Sequence, residues 1–113
     1  FTSEYILVRQ NPEIKRPFKI GTTANPAWAS YWVEGAAFVK QFIQREGEYP
    51  DFGCSVEVYT NSDMLELETV GHLETISPSG RIEHTEIWKI FDVGKLTPKP
   101  DTITEKLQVL LGK

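Results

Sequence analysis

The sequence predicts a mainly β protein, an antiparallel β-sandwich or half of one, with a short C-terminal helix. Short runs of β-branched and aromatic residues alternate with turn residues along most of the chain. Two of these runs have the period of two that is typical of strands with one buried face. Only the last segment has helical spacing. We therefore assign residues 1–97 to the antiparallel β-sandwich portion and residues 98–113 to a spacer and a helix packed on the same domain.

The first third of the chain contains three predicted strands and one loop. Residues 4–9 include Tyr-Ile-Leu-Val and are expected to form a buried strand, which the Asn-Pro pair that follows would end. Residues 15–26 are rich in turn residues and predict a loop with at most a short strand around residues 18–20. Residues 28–33 and 36–43 predict two strands, joined by a dipeptide, Glu34-Gly35, that suits a hairpin turn or a bulge.

The second half of the chain predicts two more strand pairs. Residues 53–60 and 64–70 alternate in polarity on either side of Asn-Ser-Asp, which is typical of a hairpin. Residues 73–76 and 82–91 predict two further strands, joined by Ser-Pro-Ser-Gly with turn residues in suitable positions.

The C-terminal helix is predicted from its cap and its apolar spacing. Thr102 and Glu105 have the spacing of a capping box. Ile103, Leu107 and Leu110 would share one face. The Pro-Lys-Pro segment at residues 98–100 predicts a stiff spacer before the helix.

Composition excludes several classes of protein and ligand. The 113 residues carry 12 Lys and Arg against 16 Asp and Glu, for a net charge of -4. The chain thus has no excess of positive charge with which to bind phosphate groups, so nucleic acid is not an expected partner. No apolar run approaches the roughly 20 residues of a membrane span, so a membrane is not an expected partner either. The single cysteine, Cys54, excludes an internal disulfide and a Cys-rich zinc site. No cofactor is expected, because the known phosphate-binding and metal-binding motifs are absent from the sequence.

Carboxylates on the predicted hairpin of residues 53–70 are candidates for chemistry. Glu57 lies in mid-strand, with Ser55 and Tyr59 on the same face. On a solvated face it would be one exposed residue among many. In a concave pocket, burial would raise its pKa and allow it to act as a general base near neutral pH. Glu68 could join that pocket only if its strand pairs with the strand of Glu57.

An aromatic-rich stretch precedes this hairpin. It contains Trp28, Tyr31, Trp32 and Phe38. Aromatic residues at this density usually pack in a core. The alternative is that a tryptophan presents a stacking surface to the apolar face of a sugar ring.

Three segments resemble known proteins. Residues 53–59, Gly-Cys-Ser-Val-Glu-Val-Tyr, resemble the strand of aldose 1-epimerases (galactose mutarotases) that carries the catalytic glutamate. Residues 78–91 resemble the closing hairpin of that superfamily, with a Pro-Gly turn followed by a strand that contains His and an aromatic residue. Residues 49–61, Tyr-Pro-Asp-Phe-Gly-Cys-Ser-Val-Glu-Val-Tyr-Thr-Asn, are similar to a block in a family of uncharacterised proteins with the same β-supersandwich fold.

The resemblance implies a large antiparallel sandwich whose concave face binds a carbohydrate. Glu57 matches the position of the family's glutamate, which takes the proton of the anomeric hydroxyl. The family's catalytic histidine and its sugar-holding Arg/His pair lie upstream of the matched stretch, and neither His72 nor His84 matches them. The family continues with Thr-Gln after the glutamate, where this chain has Val58-Tyr59. The chain thus has a candidate proton acceptor and no matched donor.

The sequence and the resemblance together predict a carbohydrate-binding, mutarotase-like domain that forms the C-terminal part of a larger protein. Glu57, which would be the general base if the chain is an enzyme, would contact a mono- or oligosaccharide together with Trp28, Trp32, Tyr59 and Glu68. The alternatives are an aldose 1-epimerase-like or other sugar-active enzyme that uses Glu57, and a structural or protein-interaction domain. An incomplete sandwich exposes apolar surface, so a homodimer or the N-terminal portion of the same protein is the expected protein partner. The sequence leaves the compartment open.

Overall fold

The computed structural model describes residues 1, 4–94 and 100–110, with the backbone alone for residues 100–102. It is mainly β, with two three-stranded antiparallel sheets and a short C-terminal helix. Sheet A has the order β1-β4-β5, with β1 at Phe18–Thr22, β4 at Val56–Thr60 and β5 at Leu65–Thr69. Sheet B has the order β2-β3-β6, with β2 at Trp28–Val33, β3 at Ala36–Phe42 and β6 at Glu86–Asp92.

The predicted hairpin of β2 and β3 is confirmed. Its turn residues, Glu34 and Gly35, have φ values of 50° and 80°. Positive φ at both positions is the geometry of a two-residue turn whose twist matches that of the flanking strands. Val33 therefore pairs with Ala36, and the register continues to Trp28 opposite Gln41.

The second predicted hairpin, β4 and β5, is also confirmed. Asn61 closes it because its side-chain carbonyl accepts hydrogen bonds from the backbone N–H groups of Asp63 and Met64, at 2.8 and 3.0 Å. The side chain thus satisfies backbone donors that the strands leave unpaired at the turn. In this register Glu57 lies opposite Glu68.

The two sheets pack through a small apolar contact. Ala29 and Phe42 of sheet B are buried together with Val56 of sheet A, and Leu67 packs beside them. Successive residues of a strand point to opposite faces. The face of sheet A with Val56 and Leu67 is therefore its inner face, and the face with Glu57 is its outer face.

A polar cluster joins the sheets beside this core. The Lys40 ammonium donates to the Leu67 carbonyl at 2.9 Å and lies 3.4 Å from the Glu86 carboxylate. That carboxylate also accepts hydrogen bonds from the Thr69 hydroxyl and the Trp88 indole. Burial opposes ionisation of Glu86, but these hydrogen bonds and the Lys40 charge together lower its pKa below the ordinary value of 4.5. The ionised form of Glu86 is therefore stabilised beside Lys40, between the two sheets.

Two predicted strands are wrong. Residues 4–9 and 73–76 are not in strands, and their apolar side chains Ile6, Leu7, Leu73 and Ile76 are exposed. A short apolar run becomes a strand only where its backbone pairs with a sheet edge, and neither segment pairs with a strand of sheet A or sheet B. The residue after the first segment, Gln10, binds the turn between β4 and β5. Its side-chain amide donates hydrogen bonds to the backbone carbonyls of Asn61 and Ser62.

The remaining predictions differ from the structure in their boundaries. The predicted strand at residues 82–91 begins at Glu86, because only that part has a partner in β3. The Ser77–Gly80 turn before it is confirmed by the Gly80 N–H donating to the Ser77 carbonyl at 2.9 Å. The predicted short strand at residues 18–20 extends to Thr22.

A single turn, α1, spans Pro50–Gly53, and the C-terminal helix, α2, spans Pro100–Leu110. The C-terminal helix begins two residues before the predicted cap, because proline suits the first turn of a helix. Leu107, on its predicted apolar face, is buried. The predicted cap side chain of Thr102 and the spacer residues 98 and 99 lie outside the described residues. No helix in the described ranges is long and apolar enough to span a bilayer.

Candidate functional site

Glu57 is buried on the outer face of sheet A. Only 5% of its surface is exposed, although Glu66 on the same face of the neighbouring strand is exposed. Its carboxylate lies 3.7 Å from the ammonium group of Lys19, which is half exposed. Glu57 therefore does not lie on a solvated face, but it does not line either of the two clefts described below. The cover comes from the polypeptide segment immediately before β4.

That cover is a single turn, α1 (Pro50–Gly53), with left-handed backbone geometry. Asp51, Phe52 and Gly53 have φ values of 54°, 62° and 85°. Two consecutive non-glycine residues in this region cost backbone energy, so surrounding contacts must hold the turn. One such contact is a hydrogen bond between the side chains of Asp51 and Glu57.

Gly21 lets this turn approach the sheet. It lies opposite Glu57 in the β1–β4 pairing. A Cβ atom at position 21 would lie 2.6 Å from the Cys54 sulfur, which is closer than real contacts allow. The missing side chain therefore leaves room for Cys54 and the end of α1 beside Glu57.

Burial and a second carboxyl group change the ionisation of Glu57. Desolvation is the largest cause that raises its pKa above the ordinary 4.5, and the hydrogen bond and the negative charge of Asp51 add to the increase. Glu68 raises the pKa further by like-charge repulsion, while Lys19 lowers it. Glu57 therefore holds its proton more tightly than a solvated glutamate does, because it is buried beside the Asp51 carboxyl group.

The predicted sugar-contact residues fall into two groups. Tyr59 and Glu68 lie on the outer face of sheet A, beside and opposite Glu57. Trp28 and Trp32 lie on sheet B, on the face opposite Ala29, which points toward sheet A. The two tryptophans therefore lie on the far side of the sheet pair from Glu57. One sugar ring cannot contact both groups.

Trp28 and Trp32 are half-buried. Trp28 packs edge-to-face against Tyr5, with the ring centroids 6.2 Å apart. The Trp32 indole donates to the Ser30 hydroxyl at 2.6 Å. Both side chains thus have packing and hydrogen-bonding partners within sheet B and its surroundings.

An open cleft of about 660 Å³ lies next to α1. One wall is the loop between β3 and α1, and the other follows the end of β1. The lining side chains are amides, charged groups, a hydroxyl and one aromatic ring, with glycines between them: Thr23, Asn25, Gln44, Arg45, Glu46, Gly47, Glu48, Tyr49 and Gly53. The volume is within the range of about 300–1,000 Å³ that is typical of ligand sites.

Ser55 links the two walls of the cleft through hydrogen bonds. It is fully buried, and its hydroxyl donates to the Gln44 side-chain carbonyl at 2.6 Å. The same oxygen accepts a hydrogen bond from the Ala24 N–H at 3.1 Å. Tyr49 is fixed similarly, since its hydroxyl donates to the Arg45 carbonyl at 2.7 Å. The cleft is therefore organised before any ligand arrives.

A smaller cleft of about 290 Å³ lies between Arg45, His72 and Arg81. His72 is 3.6 Å from Glu74, and Arg81 is 3.3 Å from Glu83. Two of its three basic groups, His72 and Arg81, thus already lie beside a carboxylate. This cleft is therefore a weak candidate for an anion-binding site.

Sequence reasoning missed the residues of the 660 Å³ cleft. Most of them lie in residues 44–52, between the predicted strands, where the polar residues have no period that distinguishes the wall of a binding site from a solvated connection. A signal was present in the position of Tyr49, a large aromatic residue among charged and glycine residues in a loop. Among the described residues, no cluster of three or more His, Cys, Asp or Glu side chains could hold a metal ion.

Comparison of the chain with family models, with curated proteins and with solved structures finds no match in any of the three. The resemblance to aldose 1-epimerases therefore has no independent support, and we infer the function from the site itself.

Proposed function

We propose that this chain is a carbohydrate-binding β-domain whose ligand lies in the 660 Å³ cleft between the Gln44–Tyr49 loop and the end of β1. The observation that carries the proposal is the lining of the cleft, which combines amide, carboxylate and guanidinium groups with one aromatic ring. A sugar presents hydroxyl groups that both donate and accept hydrogen bonds, and amides and carboxylates complement them. Its ring carbons also form an apolar C–H face that packs on the face of an aromatic ring.

The pre-organisation of the cleft supports the same ligand class. Small polar ligands bind weakly because water competes for each hydrogen bond. Side chains that are already fixed lose less conformational freedom on binding. Ser55 fixes Gln44, and the hydroxyl of Tyr49 fixes its own ring against the loop.

The proposal predicts that Tyr49→Ala abolishes most sugar binding. We expect a glycan array and isothermal titration to detect a saccharide ligand, and Tyr49→Ala to weaken its binding at least tenfold. Tyr49→Phe keeps the ring and loses only the hydrogen bond to Arg45, so it should weaken binding by threefold or less. Thermal unfolding of each variant shows whether the loop change affects the fold.

Tyr59→Ala is the matched control, since Tyr59 is a half-buried tyrosine on the outer face of sheet A. It should bind like wild type. If Tyr59→Ala and Glu57→Gln abolish binding while Tyr49→Ala does not, the ligand lies on the outer face of sheet A. Absence of binding to any saccharide would rule out the proposal.

A sugar-active enzyme is the second candidate, and the Asp51–Glu57 pair favours it. A carboxyl group with a raised pKa can exchange protons near neutral pH. Because Glu57 is buried, Asp51 and the α1 turn would have to move before a substrate could reach it.

This second candidate predicts acceleration of anomer interconversion. NMR of freshly dissolved α-glucose or α-galactose, with and without the protein, measures that rate directly. Glu57→Gln removes the ionisable group, so an enzyme-catalysed rate should fall at least a hundredfold. A rate equal to that of buffer alone, with every sugar tested, leaves the binding domain as the function.

A further inference from the structure

β6 is an edge strand with unusually exposed apolar side chains. Within the described residues it pairs only with β3, so its outer backbone groups face away from the sheet. Ile87, Trp88 and Ile90 are 57%, 65% and 76% exposed. Strand edges of this kind are templates for pairing with another strand, and proteins usually protect them with charge, proline or a covering element. β6 has no proline, and Lys89 is its only basic residue.

An apolar surface continues inward from this edge. Trp88 and Ile90 share a face with Phe38, Tyr31 and Val33 according to the strand registers. We call these five residues the Trp88 patch. It lies on the face of sheet B that packs on sheet A through Ala29 and Phe42, but beyond that contact. Four of its members, all but Phe38, are exposed.

Trp88 is held in place before any partner arrives. Its indole N–H donates to the Glu86 carboxylate at 2.6 Å, and its ring packs edge-to-face on Phe38 with centroids 5.5 Å apart. Its hydrogen-bond donor is therefore satisfied, and the exposed remainder of the side chain is apolar. Ordered tryptophans of this kind provide much of the binding energy in protein interfaces.

The chain as a whole exposes more surface than a compact monomer of its size. Its accessible area is 8437 Å². A folded monomer of 12.9 kDa exposes about 6,300 Å². The Cα radius of gyration, 15.6 Å, likewise exceeds the value of about 13 Å expected for this length. Surface normally covered in a domain is thus available, and stable interfaces need only about 800 Å² per partner.

Charge selects one symmetric pairing of β6 with a second copy. In a two-fold antiparallel pair, facing residues lie on the same side of the sheet. With Trp88 opposite Trp88 of the second copy, Lys89 faces Ile87 and Glu86 faces Ile90. A shift by two residues in one direction brings Lys89 opposite Lys89 and Glu86 opposite Asp92, which like-charge repulsion disfavours.

A shift in the other direction is also less favourable. It sets Ile87 opposite Ile87, brings Trp88 opposite the carboxylate of Glu86, and leaves Ile90 opposite His84, which lies outside the strand. Only the register centred on Trp88 pairs all three highly exposed apolar residues of the strand and avoids facing like charges.

We propose that this chain forms a symmetric dimer through β6, with Trp88 facing Trp88 and the two copies of sheet B joined into one six-stranded sheet. The occupant is a second copy because the pairing is self-complementary, as a two-fold interface requires. The interface is independent of the sugar-binding cleft, whose lining residues belong to other segments.

Sedimentation equilibrium of the full chain between about 1 and 200 μM tests the dimer. We expect a dissociation constant in the micromolar range, since one pair of edge strands, with Ile87, Trp88 and Ile90 at the seam, forms an interface of small size. Ile90→Glu should weaken the dimer at least a hundredfold, because it places a second carboxylate opposite Glu86 twice per dimer. Ile90→Lys creates an opposite-charge pair instead, and its dimer should be at least tenfold tighter than that of Ile90→Glu.

Ile14→Glu is the control, since Ile14 is also exposed but lies in the loop before β1 of the other sheet. It should dimerise like wild type. Circular dichroism confirms that each variant is folded. A wild-type chain that stays monomeric throughout, or a dimer that Ile90→Glu does not weaken, overturns the proposal. Equal weakening by Ile90→Glu and Ile90→Lys overturns it too, because that result excludes the Trp88-centred register.

Discussion

Glu86→Ala is expected to lower the free energy of unfolding by about 2–3 kcal/mol, the scale of a largely buried ion pair that loses one partner. The substitution leaves the Lys40 ammonium, whose side chain is only 14% exposed, without its counter-charge. It also removes the acceptor of the Thr69 hydroxyl and the Trp88 indole, so one change disturbs donors in both sheets. Chemical denaturation followed by tryptophan fluorescence measures the change.

The matched control is Glu83→Ala. Glu83 also pairs with a cation, Arg81, but their side chains are 69% and 85% exposed. Surface ion pairs of this kind contribute little, so the loss should be under about 0.5 kcal/mol. A double variant, Glu86→Ala with Lys40→Met, should recover part of the stability because it removes the unpaired buried charge. Equal losses for Glu86→Ala and Glu83→Ala would contradict a buried inter-sheet role for Glu86.

The Glu86 interactions also predict loss of stability in acid. The pKa of Glu86 is lower in the folded chain than the ordinary 4.5, so folding favours its ionised form. Its contribution to stability is fully present above pH 4.5 and is lost as pH falls through the lowered folded pKa.

Glu57→Gln is expected to raise the free energy of unfolding at pH 7.5 by about 1 kcal/mol, the scale of one net hydrogen bond. The folded chain raises the pKa of Glu57, so it binds the Glu57 proton more tightly than the unfolded chain does. The resulting stability is present below pH 4.5 and is lost as pH rises through the raised folded pKa. Glutamine resembles the protonated carboxyl group at every pH and can donate to Asp51, so the variant avoids that loss.

Urea unfolding of wild type and Glu57→Gln from pH 4 to pH 8 tests this expectation. The two curves should meet near pH 4 and separate as pH rises, with the variant more stable. Glu66→Gln is the control, because it removes the same charge from the same face of sheet A at an exposed position. Its difference from wild type should be small and should not grow with pH. If Glu57→Gln is instead the less stable protein at pH 7.5, the Lys19 ion pair outweighs the burial of the carboxylate.

Glu57 and Glu86 illustrate which properties of a residue in this chain can be predicted from the sequence and which cannot. Alternation along β4 correctly assigned Glu57 to the face opposite Val56, because side-chain direction depends only on the strand period. Alternation could not predict the burial of Glu57, since Asp51, whose side chain forms a hydrogen bond with it, is brought there by the left-handed α1 turn. Nothing local in the sequence distinguishes that turn from a solvated loop.

Glu86 was missed for a related reason. In the sequence it is one polar residue at the start of an apolar run. Its importance comes from Lys40 and Thr69, which lie 46 and 17 residues away along the chain. Such partners are brought together only when the two sheets pack.

The sequence by itself determined the local features of this protein. The Glu34-Gly35 and Asn61-Ser62-Asp63 turns, the two hairpins that they close and the apolar face of the last helix all depend on residues near one another in the chain. Their energies come from backbone conformation and from side chains a few positions apart, which a sequence displays directly. The tertiary structure alone decided which strand edges have partners, and therefore why residues 4–9 and 73–76 remain outside the sheets. The tertiary structure also placed the predicted tryptophans far from Glu57 and formed the cleft beside α1. Both features depend on contacts between segments that are far apart in the chain, and no local sequence pattern specifies such contacts.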